Sequence, residues 1–376
     1  MTVTEDLHMK KLGAILGILL VAMGVSFAED AGLHVIKTYK IGGEGGWDYL
    51  NIDANSRHLF ISRGTHVIVL EADTGKQVAD ILDTPGVHGI ALAPALGRGF
   101  TSNGREGTVT IFDLNTLKPI AKVQNVGKNP DAILFDPSTQ RVFTFNGGSH
   151  DSTAIEAATG KIIGTIPLGG KPEFGVSTGT GEVFVNIEDK GEMVSLDPEN
   201  LKVKSRWSLA PCEEPSGLAI DIKNRRLFSG CGNKMMAVTN ADTGKVIATI
   251  PIGEHVDANS FDPDAQLAFA SCGDGSLTVA HEDSPDKFRV VQTVATQRGA
   301  RTMTLDPKTH QIYLVTANFG PPPAPTAAQP HPWPAVLPGT FVVLVAGKWP
   351  AACDQLCIQG SCESRPCARW QSLSSA

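Results

Sequence analysis

Seven residues stand at one recurring register of this chain: Asp48, His88, Asp131, Glu173, Ser216, Asp257 and Arg301, spaced 40 to 44 residues apart. Four carboxylates, an imidazole, a hydroxyl and a guanidinium are groups that hold polar ligands, cationic ligands or a divalent cation. Trp47 and His255 lie beside this set. A second set, Arg63, Asn103, Asn146, Cys231 and Cys272, comes one apolar segment later in the same units. If the chain gathers these residues around one opening, the expected chemistry is capture of a small polar or cationic ligand. The competing expectation is that they bond only water and loop backbone. No cofactor is expected, and a divalent cation is the one left open. His88 and His255 show no metal-ligand spacing, so a transition metal held by that pair is not expected.

The elements that must position these side chains repeat with the same period. One aromatic marks each unit: Phe60, Phe100, Phe143, Phe184, Phe228, Phe269 and Tyr313. Before each runs a short segment with apolar alternation, such as residues 89–94, 132–137 and 217–221. Period-two alternation is the mark of a strand with one packed face. Turns separate the segments. Asp-Pro at 136–137, 262–263 and 306–307 combines a side chain that bonds the backbone with a preset φ. Asp-Thr-Gly-Lys at 73–76 and 242–245 supplies glycine where a hairpin needs positive φ. Four strands in each unit of about 42 residues describe a blade of a β-propeller. Seven units give an all-β, seven-bladed β-propeller over residues 33–347. The first strand, at 33–42, has the pattern of a fourth strand, and the last unit supplies only three, ending at 341–347. The N-terminal strand is therefore expected to complete the last blade and close the ring, which removes most exposed sheet edges. The register set then falls on loops that open on the channel face.

Composition agrees. Gly (39) and Pro (24) are abundant among the 376 residues, and charged residues are only 19%. That suits a turn-rich β protein and excludes a solvated, disordered chain. The net charge of -7 argues against phosphate-backbone binding, so a nucleic-acid partner is not expected.

The units resemble the YVTN-repeat β-propeller family, in its YncE-like group. The residues that carry the resemblance are DTGKVIATIPIG at 242–253, PSGLAID at 215–221 and IYLVTAN at 312–318. The resemblance implies the propeller fold and a secreted or surface-associated life. It leaves function open, since the fold hosts ligand binding, lactone hydrolysis and redox cofactors.

Residues 1–28 read as a cleaved secretory signal peptide: Lys10 and Lys11, an apolar run over 12–25, and Ser26-Phe27-Ala28 before the expected cleavage. The run is shorter than the roughly 20 residues that span a bilayer, so no stable membrane anchor is expected. Periplasmic or secreted localisation follows. Seven cysteines in an exported chain point to oxidation. Cys212 and Cys231 belong to loops on the same face and are disulfide candidates, with Cys272 either an alternative partner or free. Cys353, Cys357, Cys362 and Cys367 lie in a tail, residues 348–376, that has none of the repeat and no zinc spacing. A proline-rich insertion at 320–339 interrupts blade seven, with Trp333 a possible apolar anchor for a lid or docking arm.

Residues 175–179 fit G-x-S-x-G literally, but in a strand rather than the strand–turn–helix of a nucleophile elbow, so no catalytic residue is assigned. The leading expectation is a non-enzymatic, monomeric, extracytoplasmic propeller that binds a small polar ligand or an extracytoplasmic protein. One alternative is a lactonase-like hydrolase with a divalent cation held by channel carboxylates. Another is a DNA-binding propeller, which the negative charge weakens.

Overall fold

The computed structural model of the protein describes residues 32–324 and 334–349. Residues 1–28, where a signal peptide is expected, Trp333 and the four tail cysteines lie outside the described residues. Seven four-stranded antiparallel sheets make seven blades. In six of the blades the strands are hydrogen-bonded in chain order, so consecutive hairpins build each sheet outward from the axis; in the seventh the first strand of the chain takes the outermost place. The innermost strands of blades one to seven are Leu50–Asp53, Val87–Ala93, Pro130–Asp136, Pro172–Ser177, Pro215–Asp221, Val256–Asp262 and Met303–Leu305. No helix among the described residues is long and apolar enough to cross a membrane.

The ring closes as the repeat pattern requires. Leu33–Lys40 is the outermost strand of blade seven and pairs antiparallel with Val342–Lys348, Leu33 opposite Lys348 and Lys40 opposite Val342. The Gln292 side chain of blade six bonds both the N–H and the carbonyl of Leu33, at 3.0 and 2.8 Å. Both ends of the propeller are thus held by one blade.

The repeated aromatics are buried in every blade, none more than 1% exposed. They pack where neighbouring sheets meet. Phe60 of blade one lies 5.6 Å from Phe112 of blade two, and Phe228 of blade five 5.2 Å from Phe261 of blade six. Burying each such ring contributes roughly 1.5–3 kcal/mol. On the side away from the channel mouth, polar contacts tie blade to blade. Arg57 of blade one pairs with the buried Asp306 of blade seven, and with Asp73 at 2.6 Å. Arg141 reaches the Pro198 carbonyl of blade four at 2.6 Å, and Arg226 reaches Asp286 of blade six at 2.7 Å.

Candidate functional site

The site residues stand where the inner strands begin. Pairing with the second strand slips between Val87 and Ile90, Pro130 and Ile133, Pro172 and Gly175, Pro215 and Leu218, and Val256 and Ala258. His88, Asp131, Glu173, Ser216 and Asp257 sit inside these slips. An irregularity of this kind breaks the strict alternation and re-aims a side chain. Asp48 and Arg301 precede their strands by two residues.

The re-aimed side chains meet in three groups. His88 Nδ1 lies 2.6 Å from Asp48 Oδ2 and 3.7 Å from Asp131 Oδ1, joining blades one, two and three. Lys171 Nζ contacts Glu173 at 2.8 Å and also pairs with Glu188, all in blade four or its entry loop. Ser216 Oγ lies 3.4 Å from Asp257 Oδ1, and Arg301 Nε 3.3 Å from Asp257 Oδ2, joining blades five, six and seven. Lys171 and Glu188 were not in the sequence-level set. Lys171 stands only two residues before Glu173, which is the signal that would have found it.

Tyr49 was also missed. Its ring stacks on Phe174 with centroids 4.6 Å apart. Tyr49 belongs to blade one and Phe174 to blade four, so the pair reaches across the central channel. Burial, and then the charges of Asp131, Asp48, Glu173 and Asp257, raise the Tyr49 hydroxyl well above its ordinary pKa. The channel mouth thus combines a rim of polar side chains, a cup, with an aromatic pair that spans it.

Buried polar side chains two residues after the repeated aromatic hold the backbone of this cup. Ser62 Oγ accepts the Asp48 N–H at 3.1 Å. Ser102 Oγ accepts the Gly89 N–H at 2.8 Å and donates to the Asp131 carbonyl. The Asn186 amide donates to the Ser216 carbonyl at 3.0 Å. Ser271 Oγ donates to the Arg301 carbonyl. Three of the four thus fix a site residue of the next blade. Gly89 permits the close approach: a Cβ there would stand 2.9 Å from the Asp131 carbonyl oxygen and 2.8 Å from Ile133.

The acids share too little positive charge. Burial, then the charge of Asp131, pushes Glu173 up to about 8 even with Lys171 beside it. Burial, then Asp48, pushes Asp131 up to about 6. Burial pushes Asp257 up to about 6, with Arg301 working against the rise. Burial disfavours the His88 imidazolium, but the Asp48 hydrogen bond and the nearby acids outweigh it and raise the imidazole's pKa. The Asp257 charge raises Arg301.

One ligating atom each from Asp48, His88 and Asp131 lies within 4.8 Å of the others, and the three could hold a cation. A second such group, Asp262, Asp264 and His310, lies at the other end of the inner strands. There Asp262 Oδ1 already accepts the N–H groups of Asp264 and Ala265, as turn-building aspartates do.

The second sequence set is placed differently. The Asn103 amide is buried and donates to Thr108 and Thr110 of its own blade at 3.0 and 2.9 Å. The Asn146 amide is buried and donates to the Val126 carbonyl at 2.8 Å and Asp151 at 2.6 Å. Both amides are spent on these bonds and take no part in the three groups above. Trp47 packs on Phe341 at 5.3 Å and Phe319 at 6.1 Å, and His255 is exposed with a φ of 58°. Arg63 lies over Phe341. Cys212 and Cys231 form a disulfide with Cα atoms 5.4 Å apart, and Cys272 is buried and free. Ser177 of the G-x-S-x-G match donates to Asp136 at 2.5 Å and accepts the Gly179 N–H, a turn contact rather than a nucleophile–base pair.

No family model matches the chain. The protein YncE of Salmonella typhi, which carries the description uncharacterized, is 22% identical over 192 residues. YncE of Salmonella typhimurium matches equally. The match spans 49% of this chain and 53% of YncE, so the chain matches about half the length of these curated relatives. Among solved structures, a chain of Kuenenia stuttgartiensis hydrazine synthase superposes with a TM-score of 0.63 at 14% identity, over 73% of this chain and 94% of that one. This likeness is one of fold. The chain is a seven-bladed propeller similar to YncE.

Proposed function

We propose that this chain is an extracytoplasmic, non-enzymatic binding propeller that captures a small polar ligand carrying positive charge at the mouth of its central channel. The observation that supports this reading is the placement of Asp48, Asp131, Glu173 and Asp257 at the starts of their inner strands, in three groups with His88, Lys171 and Arg301 as counter-charges. The raised carboxyl and imidazole pKa values mean that the apo cup retains protons, the smallest cations, to relieve repulsion. A ligand ammonium would replace them, with the Tyr49–Phe174 pair offering an aromatic surface beneath it. Extracytoplasmic placement is supported by the apolar leader and by the Cys212–Cys231 bridge, since disulfides persist in oxidising compartments. A surplus of acid at the mouth disfavours nucleic acid.

Calorimetry and thermal shift with choline, spermidine and glucosamine test the reading. Binding is expected to weaken about ten-fold or more in Asp131→Asn. Neutral isosteres binding as tightly as the ammonium compounds, or no ammonium compound binding, would sink it. A second reading has its own support in the Asp48–His88–Asp131 corner: a divalent cation held there, serving a lactonase-like hydrolysis. Its test is a thermal shift with Ca²⁺, Mn²⁺ or Zn²⁺ that disappears in His88→Ala, followed by lactone turnover.

A further inference from the structure

Arg63 follows the second strand of blade one and is 3% exposed. A guanidinium taken so far out of water ordinarily finds a carboxylate. Arg63 has no ion pair among the described residues. Its Nη2 donates to the Glu44 carbonyl at 2.8 Å and the Gly42 carbonyl at 3.4 Å, and its Cζ lies 3.7 Å from the Phe341 ring centroid. Its Nη1 is buried with no acceptor. Burial with nothing to offset it pulls the Arg63 pKa down to about 10.

Beside this side chain opens a cavity of about 410 Å³, lined by Gly43, Glu44, Arg63, Val336, Pro338 and Phe341 among others. The loop at 42–46 brings backbone close to the guanidinium, with Gly43 at φ +76° and Gly45 at φ +94°. Among the described residues, the N–H groups of residues 43–46 donate to no backbone carbonyl. One wall thus holds the Arg63 guanidinium, Glu44 and a loop whose N–H groups have no backbone acceptor, and the other is apolar.

We propose that this cavity is a second binding site, independent of the acidic cup and opposite to it in charge preference, for a small organic carboxylate. One carboxylate oxygen accepts from the Arg63 guanidinium and the other from a loop N–H. The apolar body of the ligand rests on Val336, Pro338 and Phe341. A monoanion would give the one guanidinium the ion pair it lacks, and the apolar wall disfavours a fully hydrated inorganic ion.

The test is thermal shift and calorimetry on the whole protein with benzoate and propionate, against benzamide, propionamide and inorganic phosphate. At about 20 mM the carboxylates are expected to raise Tm and the amides to leave it unchanged. Arg63→Met, which keeps an apolar stem over Phe341, is expected to weaken carboxylate binding by about ten-fold or more. Asp131→Asn is expected to leave carboxylate binding intact while it impairs the cup, which separates this site from the first. Without ligand, Arg63→Met is expected to melt no lower than the parent, because it removes a buried charge that has no counter-ion. Four outcomes would each overturn the assignment: amides that shift Tm as much as carboxylates, binding that survives Arg63→Met, phosphate binding without carboxylate binding, or no carboxylate binding by the parent. The comparison of carboxylate with amide uses the parent protein alone, so it decides even if Arg63→Met does not fold.

Discussion

Glu173 keeps its proton at a pH where an exposed glutamate has long lost it, because burial and Asp131 both oppose its charge. The folded protein therefore binds this proton more tightly than the unfolded chain does. The stabilisation is full below about 4.5, the ordinary value, and is lost as pH rises through about 8. Asp131 and Asp257, pushed up to about 6, add the same sign over a lower window. Stability of the ligand-free protein is thus expected to fall between about pH 4 and pH 8. Glu173→Gln, which mimics the protonated form, is expected to raise Tm by roughly 2 to 4 °C at pH 8 and to change little near pH 4. Melting curves across that range check it, and an equal effect at both ends would refute the origin assigned to the shift. Ligand uptake is likewise expected to release protons, seen as calorimetric heats that vary with the ionisation enthalpy of the buffer. The register of Asp48, His88, Asp131, Glu173, Asp257 and Arg301 was legible in the sequence because a periodic fold returns equivalent positions to equivalent places. Asn103 and Asn146 obey the same periodicity, yet their amides turn into loop hydrogen bonds. Register locates a backbone position, and local donors and acceptors decide where the side chain goes.

The inner strand with its pairing slip is the device that converts a repeat into a site. Ser62, Ser102, Asn186 and Ser271 stand two residues past the aromatic, so their positions were legible, but their bonds to the site backbone were not. A serine in a strand gives no sign of which carbonyl it will meet. Gly89→Ala places a methyl against the Asp131 carbonyl and Ile133. It is expected to cost about 1–3 kcal/mol, read by urea unfolding, and to weaken ammonium binding as well. In blade five, the bridge between Cys212 and Cys231 ties the entry loop to the end of the second strand across a sequence separation of 19. On the chain-entropy account, closing a loop of that size contributes about 3 kcal/mol. Cys212→Ser is expected to lower the urea midpoint accordingly, and a reducing agent should act on the parent but not on the variant. Spacing left Cys231 and Cys272 as rival partners, because both end second strands of adjacent blades. The chain path into blade five brings Cys212 to the first of them.

At the scale of the whole molecule, blade count and ring closure were readable because seven similar segments admit one arrangement that leaves no half-built sheet. The Tyr49–Phe174 stack was not readable. A contact between blades one and four falls outside the nearest-neighbour logic of a repeat and leaves no periodic trace. The seam between blades seven and one is held by the Arg57–Asp306 pair as well as by shared strands. Arg57→Met leaves the Asp306 carboxylate buried without its cation, and a loss of about 3 kcal/mol is expected in chemical unfolding. A loss below about 0.5 kcal/mol would show that the seam does not depend on this pair. The borrowed strand has one more consequence. Leu33 pairs with Lys348, so the earliest part of the fold to be synthesised waits for the latest. A nascent chain emerging from a ribosome or a translocon cannot complete blade seven until both partners are out, and it carries a solitary edge strand for the whole interval. Maturation must therefore be a terminal event, slow by virtue of its very long-range contact and open to chaperones until the moment the circle shuts.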